Sequence, residues 1–119
     1  MTNSADRVDP LEVVAAFGVA WANHDIDAAI ALISEDCVFD NTDPAPDGTR
    51  YLGHSAIRSA WTPIFEDLST QFDAEETFSA GDRVIQLWRY TWSDGHVRGV
   101  DIYRVRDAKV AEKLSYVKG

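Results

Sequence analysis

The hydrophobic pattern of this 119-residue chain changes its period near Gln71. Before that point apolar residues recur every three or four positions, as Leu11, Val14 and Phe17 do, which is the spacing of one helix face. Beyond it apolar and polar residues alternate, which is the pattern of β-strands. Helices followed by a run of strands, with one early strand between the helices, are typical of an α+β domain. We therefore predict a strongly bent, mostly antiparallel sheet that wraps over three N-terminal helices.

Capping residues and prolines mark the predicted helices. Asp9 is placed to cap the first helix, with Pro10 at its first position, and Asp25 is placed to cap the second. A third helix starts near His54, and Pro63 is expected to bend or interrupt it. The predicted strands span residues 37–41, 72–78, 84–92, 97–106 and 110–117. The length suits one domain, predicted over residues 9–119, after a flexible N-terminus over residues 1–8.

Composition and charge argue against several kinds of protein. Acidic residues outnumber basic ones by 20 to 11, whereas a nucleic-acid-binding surface needs clustered lysines and arginines. The N-terminus lacks a signal-peptide pattern, and no apolar stretch approaches the roughly 20 residues of a membrane span. Cys37 is the only cysteine, which indicates a small buried thiol rather than an internal disulfide. We expect a cytoplasmic protein with neither a nucleic-acid nor a membrane partner.

Three segments of the chain carry a family likeness: ANHDIDAAIALISEDCVFDN, DGTRYLGHSAIRSAW and RGVDIYRVRDAKVAEKLSY. Together they resemble the SnoaL-like branch of the nuclear transport factor 2-like superfamily, over about residues 10–118. The resemblance implies a cone-shaped, cystatin-like sheet whose concave face and helices enclose one small-molecule pocket. Its members include ketosteroid isomerases, polyketide cyclases, scytalone dehydratase, limonene-epoxide hydrolases and non-catalytic modules. The fold therefore does not by itself select a chemistry.

Asp101 is the candidate catalytic residue. Alternation along its strand places Gly99, Asp101 and Tyr103 on one face. Because the opposite face also carries apolar residues, alternation does not decide which face points inward. The resemblance implies that Asp101 points inward, where ketosteroid isomerases hold the carboxylic acid of their oxyanion hole. An acid in such a place can transfer a proton. The alternative is a structural ion pair with Lys113, which the last strand would bring close to Asp101.

The remaining groups of the family's catalytic templates are substituted in this chain. The resemblance matches Asn41 to the general base of ketosteroid isomerases and Phe17 to the tyrosine of their oxyanion hole. It matches Ser115 to the acid/base aspartate of the cyclases and to the last aspartate of the epoxide hydrolases. An amide takes no proton at neutral pH, and a serine without a neighbouring histidine is a poor nucleophile. A ketosteroid isomerase is therefore not expected.

The other predicted binding residues are mainly aromatic. Apolar pockets with a few polar groups are typical of ligand sites. The three histidines lack metal-ligand spacing, so no metal and no other cofactor is predicted. The predicted substrate-binding residues are Phe17, Trp21, Phe39, Asn41, Tyr51, Trp61, Trp88, Tyr103, Lys113 and Ser115.

Three functions remain open at this point. The first is an isomerase, lyase or hydrolase that acts on a small, largely apolar substrate, with Asp101 as the acid or base. The second is a non-catalytic module that binds a small hydrophobic ligand. The third is a homodimeric interaction domain, because Val100 and Ile102 on one face of the sheet and the Trp88 row on another cannot all be buried within one copy. A homodimer is expected in each case.

Overall fold

The computed structural model describes residues 8–119, which form three helices and one six-stranded sheet. The helices are α1 (Pro10–Ala22), α2 (Ile26–Ala31) and α3 (Gly53–Glu66). The strands are β1 (Ile33–Asp40), β2 (Arg50–Leu52), β3 (Gln71–Ala80), β4 (Arg83–Trp92), β5 (Gly95–Arg106) and β6 (Lys109–Val117). The sheet order is β2-β1-β6-β5-β4-β3, and only β1 and β6 are parallel neighbours. The predicted α+β fold with a mostly antiparallel sheet is confirmed; the N-terminus predicted to be flexible, Val8 apart, lies outside the described residues.

The helices begin where their capping residues predict. Asp9 Oδ1 accepts a hydrogen bond from the backbone N–H of Leu11 at 3.0 Å, and Asp25 Oδ1 accepts one from Ala28 at 3.1 Å. The predicted interruption at Pro63 is wrong, because α3 continues to Glu66. A proline so close to the end of a helix removes a single backbone hydrogen bond, and the packed apolar face of α3 holds the last turn in place. None of the described helices is long and apolar enough to cross a membrane.

The first strand is longer than predicted. It starts at Ile33 rather than at Cys37, because Ile33 pairs with Val110 at the start of the distant strand β6. No local sequence pattern predicts this pairing, because it joins residues far apart in the chain. Cys37 itself is buried as predicted, and burial raises the pKa of its thiol to about 12, so the thiol is not a nucleophile at neutral pH.

The register of β5 against β6 determines which polar residues meet. Asp101 pairs with Ser115, and Tyr103 pairs with Lys113. Paired residues project from the same side of a sheet, so all four side chains lie on the concave face toward the helices. Asp101 therefore faces inward, as alternation and the family resemblance together predicted.

The main core lies between the helices and the concave face of the sheet. Trp61, on α3, is fully buried at its centre, and its ring lies 5.6 Å from that of Phe17 and 5.4 Å from that of Phe39, measured between centroids. The ring of Phe65 stacks on that of Trp61, with 6.1 Å between their centroids. These contacts join α1, α3 and β1 into one apolar cluster.

The convex face of the sheet carries a partly exposed apolar surface, here called the outer belt. Its two rows follow the strand pairing across β3 to β6. Trp88 and Tyr90 are not part of it, because they line the cavity on the concave face. The belt consists of Phe78, Ile85, Ile102 and Leu114 in one row and Leu87, Val100 and Tyr116 in the next.

Replacing Trp61 with alanine tests the position of this core. We expect a loss of roughly 3–5 kcal/mol in the free energy of unfolding, because a buried tryptophan is truncated among packed neighbours. The same change at Trp92, which is 37% exposed, should cost much less. Urea denaturation of the two variants checks this. A midpoint that is nearly unchanged for Trp61→Ala would remove Trp61 from the core.

Candidate functional site

A cavity of about 180 Å³ lies between the concave face of the sheet and helices α1 and α3. Its wall is largely aromatic and aliphatic, with few polar groups, as in typical small-molecule sites. The wall is formed by Gly18, Trp21, Phe39, Asn41, Thr42, Ile64, Phe72, Trp88, Tyr90, Val97, Asp101, Tyr103, Lys113, Ser115 and Val117.

A buried ion pair lies in this wall. Lys113 Nζ is 3.2 Å from Asp101 Oδ2, and the two side chains are 8% and 2% exposed. Two hydroxyl groups complete the network: Tyr103 donates to Asp101 Oδ2 at 3.0 Å, and Lys113 Nζ donates to Ser115 Oγ at 2.9 Å. Each partner replaces part of the hydration that a charge loses on burial. We refer to Asp101, Tyr103, Lys113 and Ser115 as the polar tetrad.

Tyr103 acts in the tetrad as a hydrogen-bond donor. Burial raises the pKa of its phenol well above 10, and the neighbouring charge and hydrogen bond of Asp101 raise it further. The phenol therefore keeps its proton throughout the physiological pH range. Its hydroxyl group also lies 3.4 Å from Gln86 Oε1, an alternative and longer acceptor.

Aromatic rings surround the ammonium group of Lys113. Its Nζ lies 4.8 Å from the ring centroid of Phe39 and 5.2 Å from that of Trp21. At these distances the electron-rich ring faces attract a cation, and the attraction is larger away from water. The amino group of Lys113 is therefore contacted by a carboxylate, a hydroxyl group and two ring faces.

Three buried polar atoms of the wall residues have no hydrogen-bond partner among residues 8–119. They are Asp101 Oδ1, an acceptor, and the indole nitrogens of Trp21 and Trp88, which are donors. A buried polar group without a partner is costly, and in native proteins such groups call for an explanation. These three belong to residues that line one cavity, whereas a fourth such atom, the indole nitrogen of Trp61, lies outside its wall.

Two glycines shape the cavity. A Cβ on Gly18, in the middle of α1, would meet Gln86 Nε2 at 3.7 Å and Phe72 Cε2 at 3.8 Å, which are ordinary contacts. Alanine would fit there and would stabilise the helix by about 0.5–1 kcal/mol, so glycine leaves space at a cost in stability. A Cβ on Gly99 would lie 2.5 Å from the ring of Trp88, so that ring can cover β5 only where a glycine stands.

The structure brings most of the predicted binding residues together. Besides Asp101, the wall includes the predicted Trp21, Phe39, Asn41, Trp88, Tyr103, Lys113 and Ser115. Phe17, Tyr51 and Trp61 do not line this cavity, which corrects their predicted placement. Phe17 and Trp61 are fully buried in the core, and Tyr51 stacks on Phe39 from β2, with 5.9 Å between ring centroids. Sequence spacing predicted that they face inward, but it does not tell whether an inward side chain lies in the packed core or in the cavity wall.

Several wall residues were missed by the sequence reasoning. Tyr90 follows Trp88 by two positions, so alternation alone could have found it. Gly18 has no side chain that a sequence pattern could have indicated. Thr42 and Ile64 lie at the cavity because of the tertiary course of the backbone, which the sequence pattern does not show. The missed residues are Gly18, Thr42, Ile64, Phe72, Tyr90, Val97 and Val117.

Asn41 lies in the wall, and its side chain is already engaged. Its Oδ1 accepts a hydrogen bond from the backbone N–H of Thr42 at 2.8 Å. The amide nitrogen is then the group that remains for a ligand, and it can only donate. Asn41 is therefore suited to positioning an acceptor and not to removing a proton.

Two of the three histidines have structural roles. The ring nitrogens of His24 lie 3.0 Å and 2.9 Å from the carbonyl oxygens of Phe65 and Thr70, and this joins the turn after α1 to the end of α3. His54 Nε2 lies 2.9 Å from the carbonyl oxygen of Ile33. Within residues 8–119, no three histidine, cysteine or carboxylate side chains come together as metal ligands would.

Comparisons with known proteins agree with this architecture. The model of the SnoaL-like domain matches residues 13–113. A nuclear transport factor 2-like protein of unknown function from Mesorhizobium loti is 46% identical, with a TM-score of 0.82 over 91% of this chain and 89% of that one. No curated protein matches.

Two more distant structures share the fold alone. A protein from Sinorhizobium meliloti, provisionally described as a polyketide cyclase, is 19% identical, with a TM-score of 0.77 over 97% of this chain and all of the other. A protein from Kribbella flavida, provisionally described as a ketosteroid isomerase, is 14% identical, with a TM-score of 0.77 over 92% of this chain and 77% of that one. The family resemblance predicted from the sequence is confirmed.

A double-mutant cycle on the ion pair tests the polar tetrad. Asp101→Asn leaves a buried ammonium without its counter-charge, so we expect a loss of roughly 3–5 kcal/mol in the free energy of unfolding. Adding Lys113→Met should restore much of that loss, because the uncompensated charge is removed. Denaturant unfolding of wild type, both single variants and the double variant measures the coupling. Losses that simply add would show that the pair is not a coupled unit.

Proposed function

We propose, from the premise that this chain belongs to the SnoaL-like domain family, that it binds a small, largely apolar molecule and catalyses a proton transfer on it with Asp101 as the base. The reaction would be of the isomerase, lyase or hydrolase type. Neither a metal nor another cofactor has a role in this proposal, because the tetrad supplies both a proton acceptor and a donor.

One observation carries this proposal: the carboxylate of Asp101 has one oxygen held and one oxygen without a partner. Oδ2 accepts hydrogen bonds from Tyr103 and is paired with Lys113, while Oδ1 is unpaired within the described chain. Two contacts on one oxygen orient the carboxylate, and the second oxygen keeps its lone pairs for a substrate proton. Orientation of this kind is a large part of what general-base catalysis requires.

Lys113 supplies the complementary group. When a base removes a proton from a neutral substrate, negative charge develops on the substrate, and an ammonium group in an apolar site stabilises that charge more than it would in water. Lys113 Nζ is 3.2 Å from Asp101 and belongs to the same wall. Because Asp101 is paired with a cation, we propose that it serves as the base and not as the acid of an oxyanion hole.

The second candidate is a binding module without catalysis, and the same ion pair favours it. The carboxylate of Asp101 already has a counter-charge in Lys113, so the wall needs no reaction to balance its charges. The positions where the family's enzymes carry other acid or base groups hold Asn41, Phe17 and Ser115. In this case Asp101 and Lys113 would anchor the ligand only.

Proton exchange on a simple ketone tests the catalytic proposal. We expect the protein to accelerate the replacement of the α-protons of cyclohexanone by deuterium in D₂O, measured by NMR. In the variant that combines Asp101→Asn with Lys113→Met, the protein-dependent rate should fall by more than about tenfold, since general-base catalysis typically contributes at least that much. Asp36→Asn, which changes an exposed aspartate paired with Arg106, is the matched control and should keep the rate.

The outcomes separate the two candidates. If cyclohexanone binds but its deuterium exchange is no faster than without protein, this result contradicts catalysis of this kind and supports the binding module. If cyclohexanone binds equally well to a Gly18→Leu variant, whose side chain would occupy the cavity, it binds elsewhere and the assignment of the site is wrong.

We also propose that the protein acts as a homodimer through the outer belt. The belt is apolar, spans four strands and is flanked by Arg98 and Glu75 on one side and Arg104 and Glu112 on the other. Both signs of charge therefore border the belt on each side, so a second copy related by a two-fold axis can place apolar against apolar and arginine against glutamate.

Light scattering at a protein concentration on the order of tens of micromolar tests the dimer. We expect a mass of twice the 13.2 kDa chain, and Ile102→Glu should shift it to that of one chain by placing a charge within the belt. The control is Val19→Glu, at an exposed position of α1 away from the sheet, which should leave the mass unchanged. A wild-type monomer would end this proposal.

A further inference from the structure

We infer that the ligand of the cavity is a neutral, single-ring molecule whose hydroxyl group donates a hydrogen bond to Asp101 Oδ1. The inference rests on the proposed function in one respect, since it needs a cavity that admits a small apolar molecule. It goes further by assigning the size, the charge and the polar group of that molecule.

The need for a donor follows from the carboxylate of Asp101. The residue is 2% exposed, so water reaches it poorly. Both protein donors near it, the Tyr103 hydroxyl and the Lys113 ammonium, are directed to Oδ2. Oδ1 has no partner within residues 8–119, although a carboxylate oxygen is a strong acceptor. A ligand that donates to Oδ1 supplies the missing hydrogen bond.

The choice of a hydroxyl group follows from the indole nitrogens of the same wall. Trp21 Nε1 and Trp88 Nε1 are buried donors without acceptors in the described structure. A hydroxyl group donates one hydrogen bond and accepts others, so it offers both the donor that Asp101 Oδ1 lacks and an acceptor of the kind that the indoles lack. An ammonium ligand only donates, and an ether or a halide cannot donate at all.

The charge of the ligand follows from the balance of the wall. Asp101 and Lys113 cancel, and the other wall residues of the described chain are uncharged. An anionic or cationic ligand would bring an uncompensated charge into an apolar cavity, which is strongly unfavourable. A neutral ligand leaves the ion pair intact.

The size follows from the volume of about 180 Å³. An engineered cavity of roughly 150 Å³ lined by apolar side chains binds benzene. The present cavity therefore suits one six-membered ring with one small substituent. The rings of Trp21, Phe39, Phe72 and Trp88 provide flat walls for such a molecule.

A matched pair of probes tests the inference. Phenol and fluorobenzene have nearly the same size, but only phenol donates a hydrogen bond. We expect the ¹⁹F signal of fluorobenzene to broaden with the wild-type protein, and phenol to displace it with an affinity at least about tenfold higher, as befits a hydrogen bond to a charged group. Benzoate, an anion of similar shape, should not displace it.

Two variants show where the preference arises. Gly18→Leu should abolish the binding of both probes, because its side chain occupies the cavity. Asp101→Leu combined with Lys113→Met replaces the ion pair by apolar groups of similar volume, a change that proteins often tolerate. That variant should still bind fluorobenzene and should lose the preference for phenol. Circular dichroism verifies that each variant is folded.

The possible failures can be told apart. If fluorobenzene does not bind to the wild-type protein, the cavity does not accept small apolar molecules and the proposed function fails with the inference. If both probes bind equally, or if benzoate displaces fluorobenzene best, the cavity stands and the inference is overturned. Should the double variant not fold, the comparison of the three probes on the wild-type protein decides alone.

Discussion

The ion pair between Asp101 and Lys113 is the constraint on which the rest of the site depends. Two charges removed from water require compensation, and each member of the site provides part of it. Tyr103 donates to the carboxylate, Ser115 accepts from the ammonium, and two aromatic ring faces surround the same cation. The pair also requires the register in which Tyr103 lies opposite Lys113, since a slip by one residue would turn one charge to the convex face.

The cavity exists in part because a glycine stands where a larger residue would be more stable. Gly18 lies in the middle of α1, and the missing side chain leaves space toward Phe72. Gly99 lets the ring of Trp88 lie directly across β5 and form one side of the wall. A chain selected only for stability would fill the space beside Gly18, so this glycine is informative about a ligand, whereas Gly99 is required by packing.

The same fold can carry different chemistries, so the residues of the cavity wall decide what this chain can do. In this chain the amide of Asn41 lines the cavity, while the ring of Phe17 is fully buried in the core. Apart from Tyr90, the titratable groups of the wall are gathered in the polar tetrad. Both charged residues of the wall, Asp101 and Lys113, belong to that cluster.

Much of this protein was determined by the sequence itself. The sequence predicted the helices and strands from the change of period, the caps at Asp9 and Asp25 and the alternation along the strands, because these signals act between neighbours in the chain. Alternation together with the family likeness predicted that Asp101 points inward. The depth of a side chain in the core and the distance between remote strands are not local properties of the sequence. Only the tertiary structure decided that β1 begins at Ile33, that Trp61 packs behind the wall while Gly18 opens it, and that Lys113 reaches Asp101, because each depends on contacts between residues far apart in sequence.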